Sequence, residues 1–142
     1  MKVKISKINP NAIIPVYSSK SAAGADLYNY ESSVTISAGQ TLLIGTGICM
    51  EIPEGYVGLV FARSGLATKQ GLAPANKVGV IDSDYRGEIK VAIHNHSNQE
   101  RIIEKGERIA QLVVVPYLAC EFEEGELSLS ERGAGGFGST GK

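Results

Sequence analysis

The sequence has few cysteines, few aromatic residues and almost no net charge. Its only two cysteines, Cys49 and Cys120, lie far apart, so we expect buried free thiols and no disulfide. The net charge of −1 excludes a broad basic surface of the kind that binds nucleic acid or anionic membranes. Aromatic residues make up only 6% of the chain, which disfavours a stacking platform for single-stranded nucleic acid.

Several sequence signals of location and chemistry are also missing. No apolar run is long enough to span a bilayer, and the charged first eight residues lack the apolar core of a secretory signal. We therefore expect a cytoplasmic protein. The chain contains no Gly-x-Ser-x-Gly, Cys-x-x-Cys or His-Glu-x-x-His motif, so covalent catalysis lacks an evident nucleophile and base.

What is present indicates a single compact domain made of strands. The chain has 142 residues, 43% of them hydrophobic, which is enough for one core. The apolar pattern alternates with a period of two, and the only helical candidate is residues 65–70. Short strands with frequent turns are typical of a β-sandwich, jelly roll or barrel. Strands are predicted at residues 2–8, 33–37, 41–50, 56–61, 88–95 and 108–115.

Three polar segments are candidates for chemistry. In a predicted hairpin turn at 79–87, Asp82 and Asp84 stand two residues apart, and one could act as a general base on water. Ser64, beside Arg63, could cap a helix or bind an anion at its N-terminus. Asp26 follows small residues and could face a divalent cation. Each segment taken alone is more typical of an ordinary turn or helix cap.

Two further features carry no predicted chemistry. His94 and His96 lack enough neighbouring ligands for a metal site and are expected to be exposed turn residues. Residues 136–142 have the glycine and lysine spacing of a phosphate-binding loop, but the chain ends at Lys142 with no helix to follow. We interpret that spacing as coincidental and residues 131–142 as a mobile glycine-rich arm.

Five segments, taken together and in order, closely resemble the trimeric dUTPase family. They are residues 23–27, 62–65, 76–87, 106–111 and 132–140. The resemblance implies an all-β jelly roll or distorted β-barrel over residues 1–130. It also implies a homotrimer in which the arm, 131–142, closes the active site of a neighbouring subunit. The implied reaction hydrolyses dUTP to dUMP and pyrophosphate with Mg²⁺, which keeps uracil out of DNA and supplies dUMP for thymidylate synthesis.

The resemblance also implies roles for individual residues. Asp82 matches the residue that activates the attacking water, and Asp26 matches the one that holds the water shell of the metal. The base and sugar are expected to contact Asn76, Val80, Ile81, Asp82, Tyr85 and Lys90. Among them, Tyr85 matches the ring under the deoxyribose, where a 2′-hydroxyl would clash. The phosphates are expected to contact Arg63, Ser64, Gly65 and Gln111. The arm is expected to contribute Arg132, Phe137, Gly138, Ser139 and Thr140.

Two alternatives remain open at this stage. A dCTP deaminase-like enzyme shares this fold, although the segment with Asp82, Asp84 and Tyr85 and the complete arm argue against it. A non-catalytic β-barrel that binds a partner is the second alternative. The near-neutral charge argues against nucleic acid or a membrane as partner, and the resemblance implies a small-molecule substrate, dUTP.

Overall fold

The computed structural model describes residues 1–136, which fold almost entirely into strands. Within this range lie twelve strands and one π-helical turn, Leu66–Gln70. The strands are β1 (Lys4–Lys7), β2 (Val16–Tyr17), β3 (Ala25–Tyr28), β4 (Val34–Ile36), β5 (Thr41–Gly45), β6 (Ile48–Glu51), β7 (Tyr56–Phe61), β8 (Leu72–Pro74), β9 (Gly79–Ile81), β10 (Lys90–Asn95), β11 (Arg101–Ile103) and β12 (Arg108–Pro116). No helix in residues 1–136 is long and apolar enough to cross a membrane.

The strands form one large and three small antiparallel sheets. The large sheet has the order β2-β3-β12-β7-β9, and a three-stranded sheet has the order β5-β10-β8. The pairs β1-β6 and β11-β4 complete the set. Neighbours in the sheets are mostly distant in sequence, so the chain passes repeatedly from one sheet to another, as in a jelly roll. The predicted all-β jelly-roll class is confirmed.

The core is filled by alternate residues of facing strands. In β10 and the residue before it, Ile89, Val91 and Ile93 are buried on one face, as the alternation predicted. The remaining core comes from every part of the fold, and its most deeply buried apolar members are Leu27, Ile36, Ile44, Ile48, Ile52, Leu72, Ile103 and Ile109. The five-stranded and three-stranded sheets, the two main sheets, are therefore held at a fixed separation by packed aliphatic side chains.

The predicted strand at 41–50 is divided in two. Gly47 has a φ of 69° and turns the chain between β5 and β6. A Cβ at Gly47 would lie 2.7 Å from the Cβ of Ala12, so no larger residue fits. The Thr46 hydroxyl donates to the Ile89 carbonyl at 2.6 Å and fixes this corner against the start of β10. Strands β2, β3, β8, β9 and β11, each two to four residues long, are not among the predicted strands.

The helical prediction at 65–70 is confirmed as the π-helical turn, but its predicted cap is wrong. The N-cap is Gly65, which makes no side-chain hydrogen bond, and Ser64 instead offers its carbonyl to the Thr68 hydroxyl at 2.7 Å. The turn ends at Gly71, whose φ of 70° suits a residue without a side chain.

Both cysteines are free, as predicted, but neither is fully buried. Cys49 is half-buried, and Cys120 is exposed because it follows the last strand. Between Pro116 and residue 136 the chain contains no further strand or helix. The boundary near residue 130 stays a prediction, and Phe137, Gly138, Ser139, Thr140 and Lys142 lie outside the described residues.

Candidate active site

A pocket of about 340 Å³ opens between the two main sheets, and we call it the inter-sheet pocket. It contains all six residues predicted to contact the base and sugar, which are Asn76, Val80, Ile81, Asp82, Tyr85 and Lys90. The remaining walls come from both sheets and include Leu43 on β5, Val60 on β7 and Ala92 on β10. The six residues therefore line one cavity, and their contacts with a base and sugar stay a prediction.

The pocket exists because the chain changes sheets between β9 and β10. Strand β9 pairs with β7, whereas β10 pairs with β5 and β8. The predicted hairpin at 79–87 is therefore wrong in its pairing, because the strands on either side of the turn belong to different sheets. The turn itself is confirmed, since the Tyr85 amide donates to the Asp82 carbonyl at 3.2 Å. The gap between the diverging strands forms the cavity.

The turn that carries Asp82 is held by its own side chains. The Tyr85 hydroxyl donates to the Glu88 carbonyl at 3.0 Å. Arg86 donates to the Ser83 carbonyl at 2.6 Å and to the Tyr85 carbonyl at 3.0 Å. The Tyr85 ring lies directly over Gly87, where an added Cβ would come 2.6 Å from ring atom Cζ. Asp82 is exposed at the pocket wall, so its carboxylate is available to a ligand or to water.

A second group of predicted residues surrounds Asp26, and we call it the Asp26 cluster. Asp26 was considered as a turn residue, but it lies within β3 and is only 7% exposed. One carboxylate oxygen accepts from Arg63 Nε at 3.0 Å and the other from Arg108 Nη1 at 3.2 Å. Gln111 lies opposite Asp26 in the β3–β12 ladder and donates to the Ala62 carbonyl at 2.9 Å. Two cations beside an amide are suited to an oxyanion ligand.

Arg108 is a residue of this cluster that the sequence did not assign. It lies within the segment 106–111 that carried part of the resemblance, so a signal was present. Its pairing with Asp26 spans 82 positions in the chain and depends on the β3–β12 ladder. The contact could therefore not be predicted without the strand order.

Ser64 and Gly65 follow Arg63 in the chain and are exposed at the start of the π-helical turn. Arg132 lies in a turn near the end of the described chain, where its Nε donates to the Gly135 carbonyl at 2.7 Å. No contact joins Arg132 to the inter-sheet pocket or to the Asp26 cluster among residues 1–136. A single chain thus presents three separate sets of predicted site residues.

Glu88 is a second residue that sequence reasoning missed. Its side chain is only 14% exposed and lines the inter-sheet pocket. Oxygen Oε1 accepts from the Gly47 amide at 3.0 Å, and Oε2 lies 3.3 Å from Lys90 Nζ. Burial raises the pKa of the neighbouring Tyr30 phenol, and the charges of Glu88 and Glu31 raise that pKa further. Nearby negative charge is therefore part of this wall.

Metal ligation by several side chains is not seen in the part of the chain that the structure describes. No group of three or more histidine, cysteine or carboxylate side chains within residues 1–136 is arranged to hold a metal. His94 and His96 stack edge to face with ring centroids 4.3 Å apart, and His94 Nδ1 is 2.8 Å from the Thr41 hydroxyl. His96 is exposed as predicted, whereas His94 is half-buried in β10.

Comparison with known proteins gives one consistent result. A family model described as dUTPase matches residues 10–141. The deoxyuridine 5'-triphosphate nucleotidohydrolase of Nautilia profundicola is 55% identical over the whole of both chains. The structure of the Staphylococcus bacteriophage 80alpha dUTPase with dUPNHPP has a TM-score of 0.90 at 33% identity, covering 99% of this chain and 98% of that one. A mutant dUTPase of phage phi11 of S. aureus, described with a structural Mg(II) ion, has a TM-score of 0.81 at 26% identity, covering 89% and 98%.

Proposed function

The chain belongs to the dUTPase family, and we propose that it hydrolyses dUTP to dUMP and pyrophosphate in the presence of Mg²⁺. The observation that carries the proposal is the inter-sheet pocket, which gathers six predicted contacts of the nucleoside with an exposed Asp82 carboxylate. Its volume of about 340 Å³ suits a nucleoside-sized ligand.

Uracil is recognised by the backbone of β9 in this proposal. Strand β9 is the edge of the five-stranded sheet, so one side of its backbone has no partner strand among residues 1–136. An edge presents free N–H and C=O groups in a fixed order. Uracil can pair with such a pattern, whereas cytosine leaves groups unpaired, and discrimination of this kind reaches roughly 10⁴–10⁵. Asn76 lies beside the edge and can add a side-chain contact.

The reaction needs a base for water and positive charge for the phosphoryl oxygens. Asp82 acts as the general base, because its carboxylate is exposed at the pocket wall and can accept a proton from water. Arg63, Ser64, Gly65 and Gln111 bind the phosphates, and Arg63 offsets the charge that develops on the leaving pyrophosphate. No covalent intermediate is required, which agrees with the absence of a nucleophile motif in the sequence.

Mg²⁺ fits the Asp26 cluster as an ion held mainly by substrate. Mg²⁺ keeps most of its water and takes one or two carboxylates together with phosphate oxygens. The cluster supplies one such carboxylate, Asp26, among phosphate-binding cations. When bound, the ion neutralises phosphate charge during hydrolysis. Asp26 would orient its water shell, and both Asp26 oxygens already accept hydrogen bonds from arginines.

The active site is completed by a neighbouring subunit. Ile81 lies opposite Gly58 on one side of β7, and Gln111 of the Asp26 cluster lies opposite Phe61 on the other side, three positions further along. At the usual strand rise and strand spacing, Ile81 and Gln111 are about 14 Å apart. One α-phosphate cannot be next to both Asp82 and the Asp26 cluster of the same chain. A homotrimer that brings the cluster of one subunit to the pocket of another removes this difficulty.

An uncovered apolar face supports the same assembly. Val57, Leu59 and Phe61 point outward on β7, because Gly58 and Val60 between them are buried. Val113 and Val115 continue this β7–β12 face on the paired strand. All five side chains are half-buried in the single chain. Covering a contiguous apolar face is a general driving force for oligomerisation.

The arm is proposed to close the site over the nucleotide. Arg132 can bind a distal phosphate, with Phe137 stacked on the base and Gly138, Ser139 and Thr140 around the phosphate chain. These contacts are charge-assisted hydrogen bonds and stacking, which can offset the entropy lost when a glycine-rich segment becomes ordered. Because dUMP lacks the distal phosphates, its release should be favoured after hydrolysis.

The proposal is tested by measuring pyrophosphate release from dUTP, UTP, dCTP and dTTP under identical conditions, with Mg²⁺ and after its removal by a chelator. We expect rapid release from dUTP alone and a large loss on chelation, because phosphate charge is then unshielded. Ammonia release from dCTP is measured in parallel. Ammonia without pyrophosphate would assign the chain to the deaminase reaction, and inertness toward all four nucleotides would favour a binding module.

A further inference from the structure

We propose that Glu88 is a positioning residue that fixes the Tyr85 ring and so determines how strongly the pocket prefers a deoxyribose to a ribose. The inference extends the proposed function, since it assumes that the inter-sheet pocket binds the nucleoside. It assigns a role to a residue on the wall of that pocket that contacts no reacting group.

Two contacts hold the Tyr85 ring in place. Its hydroxyl donates to the Glu88 carbonyl at 3.0 Å, and its ring lies against Gly87 so closely that no Cβ would fit there. The ring is therefore fixed at both its edge and its face. Its position depends on where the backbone of residues 87 and 88 is held.

The backbone of residues 87 and 88 is held by the Glu88 side chain. The Glu88 carboxylate is 14% exposed and accepts from the Gly47 amide at 3.0 Å. This bond joins the end of the Tyr85 turn to the corner between β5 and β6. Gly47 has a φ of 69°, and the adjacent Thr46 hydroxyl binds the Ile89 carbonyl at 2.6 Å, so the corner is rigid. Glu88 thereby links the Tyr85 ring to a rigid corner of the fold, and the corner fixes where the ring lies.

The other carboxylate oxygen of Glu88 contacts Lys90. It lies 3.3 Å from Lys90 Nζ, and both side chains line the pocket. Glu88 thus makes three contacts. Its carboxylate contacts the Gly47 amide and the Lys90 ammonium, and its backbone carbonyl accepts from the Tyr85 hydroxyl. Loss of the side chain frees the backbone of residue 88, and the ring can then move to admit a 2′-hydroxyl.

The test is equilibrium binding of dUMP and UMP by calorimetry to the full-length protein and its variants. Binding is chosen because it does not require hydrolysis. In Glu88→Ala we expect the preference for dUMP to fall about ten-fold, the equivalent of one hydrogen bond of about 1.4 kcal/mol. Glu88→Gln can still accept from the Gly47 amide, so it should retain most of the preference. Glu104→Ala is the matched control, because Glu104 is an exposed carboxylate that accepts from the Ser33 hydroxyl in another loop.

The outcomes separate this inference from the proposed function. Melting temperatures identify variants that fail to fold. If Glu88→Ala folds, its loss of preference for dUMP should exceed that of Glu88→Gln. If Glu88→Ala does not fold, Glu88→Gln is compared with Tyr85→Phe and should retain the greater preference. A folded Glu88→Ala variant with an unchanged preference overturns the inference and leaves the function intact. A wild type that prefers dUMP but fails to hydrolyse dUTP contradicts only the function. A wild type that binds neither nucleotide contradicts both.

Discussion

Asp82 and Asp84 stand two residues apart in one turn, yet only Asp82 lines the inter-sheet pocket. Asp84 lines only a neighbouring groove with Arg86 and Tyr117, and Asp82 borders that groove as well as the pocket. Both carboxylates are exposed, so burial does not distinguish them. Their positions relative to the pocket do, because a general base must lie within hydrogen-bond reach of the water that it activates.

The first prediction follows from this difference. Asp82→Asn removes the base while keeping the shape of the side chain, and kcat for dUTP should fall by about 10²–10⁴ with a small change in KM. Asp84→Asn, from the same turn, should retain kcat within about three-fold. Steady-state pyrophosphate release measures both. Equal losses in the two variants would mean that the turn, and not the Asp82 carboxylate, matters.

Individual residues also show what the sequence could and could not predict. The six predicted nucleoside contacts lie within residues 76–90, a contiguous segment in which the resemblance to the dUTPase family could name them. Arg108 and Glu88 were missed because their partners, Asp26 and Gly47, lie 82 and 41 positions away. Such contacts depend on which strands pair, and alternation within a strand carries no information about its neighbour.

At the scale of elements, the sheets are joined by loops that are fixed by buried asparagines. Asn95, at the end of β10, is 0% exposed. Its amide donates to the carbonyls of Ile36 at 2.9 Å and Gln99 at 2.8 Å, and its Oδ1 accepts from the Ser97 amide at 3.0 Å. Asn29 has the same role between β3 and β11, where it binds the carbonyls of Ser32 and Glu104. The alternation of apolar residues could not predict these polar core positions.

The second prediction concerns this element-level support. Asn95→Ala removes the side-chain partner of the buried Ile36 carbonyl, of the Gln99 carbonyl and of the Ser97 amide, so the free energy of unfolding should fall by about 3 kcal/mol. Asn98→Ala is the control, since Asn98 is exposed in the same loop and should change stability by less than about 0.5 kcal/mol. Urea unfolding at one fixed protein concentration measures both, because an oligomer gains stability with concentration. Equal stability of the two variants would contradict the role of Asn95.

The arm provides a third prediction. Deletion of residues 132–142 removes Arg132, Phe137, Ser139 and Thr140 but none of the twelve strands. We expect the oligomer and its melting temperature to be retained while kcat/KM for dUTP falls by at least about ten-fold, because charge-assisted contacts to the distal phosphates are lost. Light scattering and turnover are measured on the same sample. Near-normal turnover would contradict the proposed closure.

At the scale of the whole molecule, the geometry of one chain is incomplete for the reaction. The inter-sheet pocket carries the proposed base Asp82, and the Asp26 cluster carries the proposed phosphate ligands, about 14 Å away across the sheet. The β7–β12 face between them is apolar and lacks cover in the single chain. The sequence predicted the class of fold and both groups, but their separation depends on the register between β7 and β9, which only the structure gives.

The last prediction uses this separation. Asp82→Asn and Arg63→Ala should each be inactive alone, because each lacks one half of every site. If the halves come from different subunits, an equal mixture of the two variants that is unfolded and refolded contains some sites with both residues intact. These sites are about a quarter of the total when subunits combine at random in a symmetric ring. Turnover of the mixture should therefore rise to about a quarter of the wild-type value. Mixing without refolding is the control and should give little activity, since subunits exchange slowly across a large apolar interface. A refolded mixture that stays as inactive as its components would locate Asp82 and Arg63 of each site in the same chain.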